Sequence, residues 1–343
     1  MVILAAAFLF FRAEQLFYEQ PTVVRVTRNV RANGLHVGIV GVMVILWIAF
    51  IIGSPETFLN SQIYRALMTS IPYWGIIALP LTMVVIAGEF DLSFPSIMAV
   101  GMVAFFEVYT RVDSLGLAFA ASLISGFLVG LLNGVIIVRL GIPSLIATIG
   151  TQFFWRGVVE VIRAGQGESM TFTRDTTLRN SLVNKVFDYF PAQVIWMVIV
   201  GVVVWIILNR HRFGAHVYLI GDNEDSARLM GVNVGLTRIM LFALVGLAAA
   251  FAGIIQSVDN WYFWPNLGEG YLMQTLAAVF LGGTSVYGGT GTVFGTFVAC
   301  FIIGGIQPGI VAVGLTGYYT KLIYGLIITA SVAMHTMMRK RLK

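Results

Sequence analysis

GDNEDSARLMGVNV, residues 221–234, lies between two of the most apolar runs in the chain. It holds three acids, Asp222, Glu224 and Asp225, together with Asn223 and Arg228. The sequence around it, 343 residues long, is 58% hydrophobic and only 11% charged. A soluble domain carries about 25% charged residues. A soluble core has no room for so much apolar surface, so the solvent implied for the flanking runs is lipid. The polar stretch is then a connection outside the membrane, and the runs on either side are crossings.

Its residue order predicts a short helix. Asp222 or Asn223 suits the N-cap. Glu224 and Asp225 fall in the first turn, where the helix dipole favours acids. Arg228 follows Glu224 at i+4, the favourable order, and Gly231 is a stop signal. Ala227, Met230 and Val234 share one face. Two turns of helix are not stable alone in water, so this one needs a surface to rest on. A connector resting on anionic headgroups would rather be basic. The acidic start favours a protein partner over the membrane surface.

Outward from that loop, the requirement of about 20 apolar residues per span predicts an all-α polytopic bundle of about ten crossings. These fall at 36–53, 67–87, 94–110, 116–138, 141–162, 193–209, 238–258, 273–288, 291–310 and 317–337. Pro72, Pro80, Pro95, Pro143, Pro308 and dense glycine predict kinks and breaks, tolerated where neighbours satisfy the freed backbone groups. Residues 36–338 are the membrane domain, with a connecting loop at 210–237 and a basic tail at 339–343. Residues 1–35 form an N-terminal segment in which Met1–Tyr18 is expected as an interfacial helix. No Lys or Arg precedes its apolar run, which argues against a secretory signal.

An even number of crossings puts both termini on one side. With that side inward, thirteen Lys and Arg lie inside and seven outside, four of the seven in one long loop. The positive-inside rule then makes the termini and the 210–237 loop cytoplasmic. The single Cys300 allows no disulfide within the chain. His36, His211, His216 and His335 have no ligand spacing, so no metal site is expected.

Three stretches carry a resemblance: AGEFDLSFPSIMAVG (87–101), FGAHVYLIGDNEDSARLMGVNV (213–234) and LAAVFLGGTSVYGGTGTVFGT (276–296). In this order and spacing they closely resemble the membrane permease subunits of bacterial ABC importers for ribose, xylose, arabinose and related sugars, from about residue 36 to the end. One departure stands out: the family commonly has Gly-Gly-Ile-Asp-Leu-Ser, and this chain has Gly88-Glu89-Phe90-Asp91-Leu92-Ser93. The resemblance implies a cobalamin-importer-like (type II) fold in the bacterial inner membrane. It implies two permease chains, identical or not, above two cytoplasmic ATPase domains, with a periplasmic or lipid-anchored binding protein delivering the sugar. It makes residues 221–231 the coupling helix, with Asp222, Asn223, Glu224, Asp225, Ala227, Arg228, Met230 and Gly231 as ATPase-docking residues. ATP and Mg then belong to the partner. The residues agree: a phosphate-cradling loop needs Gly-Lys followed by Ser or Thr, and no Gly-Lys pair occurs here.

The candidates for a substrate pathway are Glu89, Asp91, Ser93, Asn133, Thr284 and Ser285. An acid within a membrane is a functional candidate by default. Asp91 and Ser93 precede Pro95, so capping of the next helix is the favoured role for Asp91; Glu89 has no such local explanation. Asn133 lies mid-helix and either bonds a neighbouring helix or lines the pathway. Arg156 and Glu160, one turn apart, are expected to pair. The glycines of 282–295 suit close packing first and a gating bend second. Trp261, Tyr262, Phe263 and Trp264 suit the outer interface.

The reading these features favour is transport of a small neutral sugar or polyol, powered by another chain. The alternatives are a proton-coupled secondary transporter using Glu89 or Asp91, and an importer permease for a nucleoside or other small metabolite.

Overall fold

The computed structural model describes residues 22–186 and 189–341. The expected helix Met1–Tyr18 and the end of the basic tail lie outside the described residues. In chain order the helices are α1 (Thr22–Gly53), α2 (Pro55–Phe58), α3 (Ser61–Ser70), α4 (Pro72–Ile86), α5 (Phe94–Val112), α6 (Leu115–Leu140), α7 (Ser144–Arg163), α8 (Thr177–Val183), α9 (Ala192–Arg210), α10 (Arg212–Asp222), α11 (Glu224–Leu229), α12 (Val234–Asn260), α13 (Leu272–Leu281), α14 (Val293–Ala312) and α15 (Tyr319–Arg341). Two antiparallel ribbons of two residues per strand close the loops: Glu168–Ser169 pairs with Tyr262–Phe263, and Lys185–Val186 with Phe190–Pro191.

The all-α membrane bundle is as expected, but the number of crossings is not. Among the described residues five helices are long and apolar enough to span: α6, α7, α9, α12 and α14. A sixth is counted if α3 and α4, bent by 53° at their junction, form one broken span. Five or six spans do not make the ten of a cobalamin-importer-like permease, and that expectation is withdrawn.

The reasons are local. Pro72 opens α4 and has no N–H to continue the ladder of α3, so the stretch 67–87 breaks. The helix α5 carries Glu107 and Arg111 in its last turns. The stretch 273–288 stops as helix at Leu281, where Gly282 and Gly283 (φ +90°) turn the chain. Among the described residues the apolar parts of α1 and α15 are Val37–Gly53 and Tyr319–Met334.

The core gathers on α4. All of its residues are buried, with Pro80 retained inside the helix, as expected of a helix that is hydrophobic all round. Helix α6 packs closely along α12. Gly126, Gly130 and Gly134 recur every fourth residue on α6, and a Cβ at any of them would meet the backbone of Gly246, Phe242 or Ile239. Small residues in a row let two membrane helices approach backbone to backbone. Helices α5 and α7 run side by side in one direction. Phe90 N–H bonds Ser144 Oγ at the start, Ser96 Oγ bonds the Gln152 carbonyl, and Glu107 pairs with Arg163 at the end.

Candidate functional site

The polar stretch folds into α11 by the expected grammar. Asn223, in extended backbone, caps it: its Oδ1 accepts the Ser226 N–H at 2.8 Å. Asp222 does not cap; it is the last residue of α10. Gly231 takes φ +80°. Gly231 N–H bonds the Arg228 carbonyl and Val232 N–H the Ala227 carbonyl, each at 3.0 Å. These two bonds are the paired stop of a Schellman turn. Ala227 is fully buried, but Met230 is 64% exposed, so the two do not share a face. Leu229, which the sequence pattern did not single out, is 90% exposed beside it. The helix thus presents two apolar side chains, Leu229 and Met230, on an otherwise polar turn.

Glu224 anchors this helix. It accepts from Arg228 at 2.7 Å and from Arg238, in the second turn of α12, at 2.7 Å. Arg228, then burial acting the other way, then Arg238 leave its carboxyl below the usual range. The chain of charge continues: Arg238 Nε lies 2.6 Å from Glu89 Oε1. That contact is an ion pair without hydrogen-bond alignment at Nε. Glu89, the acid that sequence reasoning left unexplained, is therefore tied toward α11. Arg238 was missed because its two partners lie 14 and 149 residues away, and no spacing rule reaches that far.

A second connection runs through backbone. Gly289 N–H bonds the Ile86 carbonyl at 2.8 Å. Gly221, the last glycine of α10, packs against both: a Cβ there would fall on the Ile86 carbonyl and on Gly289 N. Tyr218 of α10 donates to the Gly291 carbonyl at 2.9 Å. The end of α4, one residue before the first of the three stretches, thus meets the other two at one joint: the end of α10 and the glycine turn between α13 and α14.

Five residues beyond Ile86 the chain enters a buried polar cluster. Asp91 and Ser93 are fully buried and Asn133 nearly so. Asp91 Oδ1 accepts the Ser93 N–H at 2.8 Å and the Ser93 hydroxyl at 2.5 Å, and Asn133 Nδ2 donates to Ser93 Oγ at 2.7 Å. Asp91 therefore shapes the turn into α5; α5 has no side-chain cap of its own. The remaining acceptors, Asp91 Oδ2 and Asn133 Oδ1, have no hydrogen-bond partner among the described residues. Thr284 is buried, with its hydroxyl also unpartnered among them. Ser285 stands apart in the glycine turn, where its Oγ accepts the Tyr287 N–H. Asp91, Ser93 and Asn133 thus form one group, while Glu89, Thr284 and Ser285 make no hydrogen bond to it.

Arg156 does not form the expected bond with Glu160. It is buried and donates to the carbonyls of Pro265, Pro95 (3.0 Å) and Leu267 (2.9 Å), with Glu269 at 3.5 Å. It fastens the 261–271 loop to the start of α5. Trp261 in that loop is flanked by the guanidinium groups of Arg174 and Arg179, each 5.1 Å from the ring. No His, Cys, Asp or Glu group suited to a metal occurs among the described residues.

Residues 63–332 match the family described as branched-chain amino acid transport system / permease component. The ribose import permease protein RbsC of Escherichia coli (strain K12) is 33% identical over 289 residues, 81% of this chain and 87% of that protein. The autoinducer 2 import system permease protein LsrD of Klebsiella pneumoniae is 30% identical over 262 residues, 75% of this chain and 78% of its own. Its counterpart in Yersinia enterocolitica is 28% identical over 268 residues, covering 76% and 81%. A match over most of the chain, on a bundle of apolar helices, identifies a transport component rather than an enzyme, and the chain belongs to the family of branched-chain amino acid transport system permease components.

Proposed function

We propose that this chain is the membrane subunit of an ATP-driven importer for a small neutral sugar or polyol, or a closely related metabolite. In this reading α11 is the docking element for a separate cytoplasmic ATPase subunit, which holds ATP and Mg. A second permease chain and a sugar-binding protein on the outer face complete the assembly. The chain sits in the bacterial inner membrane with the 210–237 loop and both termini cytoplasmic. Alternating access follows from movements imposed through α11.

The observation that carries this is α11 itself. It is capped at both ends, outside the apolar spans, and it presents Leu229 and Met230 to solvent. Exposed apolar side chains on a rigid polar platform are the anatomy of an interface centre. Relatives named for ribose and for autoinducer 2 support import of a small metabolite. The proton-coupled alternative loses its first candidate, because Glu89 is engaged by Arg238.

The test is a pull-down of the tagged chain from its native host in mild detergent. It is repeated with Glu224, Arg228 and Met230 changed to Ala, and with Leu229→Ser. An ATPase recovered with the native chain and lost with variants that still insert and fold is the expected result. No ATPase with any of them, together with proton-driven uptake by the pure chain in liposomes, would overturn the proposal.

A further inference from the structure

The geometry points to Arg238 as a positioning residue that couples the docking helix to the hinge between α4 and α5, an inference that rests on the reading of α11 as that helix. Two independent connections end on the same short segment. One is ionic: Glu224 of α11, then Arg238 of α12, then Glu89. The other is backbone: Gly221 of α10 against the Ile86 carbonyl, which Gly289 N–H holds. Ile86 ends α4, and Glu89 lies in the non-helical stretch before α5. Gly88 between them takes φ +82°, a turn that breaks the helix.

The chemistry suits a tie. A guanidinium is planar and always charged, so Arg238 can hold two carboxylates at once, Glu224 by a hydrogen bond and Glu89 by charge. Nη2 of Arg238 takes Glu224 and Nε faces Glu89. The side chains of Arg238 and Glu89 are only 20% and 11% exposed, so salt screens this pair less than a surface pair. A lysine offers one nitrogen on a flexible stem.

The consequence is directional. Displacing α11 moves Glu224, which carries Arg238 and then Glu89. Glu89 stands two residues before Asp91, so the pull reaches the start of the Asp91–Ser93–Asn133 cluster. The acid performing this task is the one that departs from the family motif. Arg238 and Glu89 therefore set how strongly movement at α11 is felt inside the bundle.

The experiment uses the intact complex recovered by the native chain and needs no knowledge of the cargo. Hydrogen exchange is followed at residues 86–93 and 224–229, with and without trapping by ATP, Mg and vanadate. In the native complex both segments respond. In Glu89→Gln and Arg238→Gln the response at 224–229 persists, and that at 86–93 falls at least threefold. A merely structural role would change exchange equally in trapped and untrapped samples. Undiminished responses at 86–93 in both variants would overturn the inference. If Arg238→Gln does not accumulate, Glu89→Gln decides alone, since it leaves the Arg238–Glu224 bond in place. Failure of the native chain to bring down an ATPase would instead remove the docking reading, and this inference with it.

Discussion

Gly221→Ala is the sharpest probe of the joint that adjoins α11. The added methyl would lie 2.5 Å from Gly289 N and 2.9 Å from the Ile86 carbonyl carbon, and closer still to its oxygen. Ordinary contact begins near 3.4 Å, so Gly289 alone must retreat by about 0.9 Å, 3.4 less 2.5. That movement strains or breaks its 2.8 Å bond to the Ile86 carbonyl. Overpacking against backbone costs about 1–3 kcal/mol and a lost hydrogen bond about 1 kcal/mol more. Alanine returns about 1 kcal/mol through helix propensity near the end of α10. The net is a loss of about 1–3 kcal/mol. The assay is thermal unfolding of the purified chain in detergent, with Gly116→Ala in the first turn of α6 as control. A Cβ at Gly116 meets nothing within 4 Å, so that variant melts at or slightly above the native chain, while Gly221→Ala melts several degrees below it. Gly221→Ala melting level with Gly116→Ala would refute the close approach of the three segments.

Two further outcomes follow from charged groups outside the joint. Arg156→Met leaves the carbonyls of Pro95, Pro265 and Leu267 without their donor; a buried acceptor left unpaired costs about 1–3 kcal/mol, to be read as lost melting temperature or failed accumulation in the membrane. Glu224 has a carboxyl held below the ordinary 4.5, by Arg228 first. Its contribution is therefore complete above pH 4.5 and is lost as pH falls through the lower folded value. The difference in melting temperature between the native chain and Glu224→Gln should be steady from pH 5 to neutrality and shrink only in acid; a difference that grew on acidification would contradict the ion pairs.

The helix α11 was legible in the sequence because every signal that builds it is local. An Asx cap, acids in the first turn, Arg at i+4 and a glycine stop each act within one or two turns. The reading erred where a neighbour decides. Met230 turned outward although helical spacing grouped it with Ala227. Arg156 left Glu160, one turn away, for carbonyls more than 60 residues distant in either direction along the chain. Asp91 was expected to serve the start of α5 and instead organises the turn before it, through Ser93.

The count of crossings failed for a related reason. Apolar composition says that a segment avoids water, and burial in protein satisfies that as well as lipid does. The stretch 273–288 is apolar enough for lipid, yet Gly282 and Gly283 end its helix after ten residues and send the chain into a turn against α4 and α10. Composition by itself determined that the chain is a membrane protein, because so few charges leave no other solvent for its surface, and the length of its apolar runs made it helical. Sequence order determined where the polar helix forms. Only the tertiary structure decided that Glu89, Arg238 and Glu224 are one bridge, and that Ile86, Gly221 and the glycine turn at 288–291 are one joint. Contacts such as Glu89 with Arg238, 149 positions apart, and Ile86 with Gly289, 203 apart, leave no periodicity in the sequence, and only the packed chain brings them within reach.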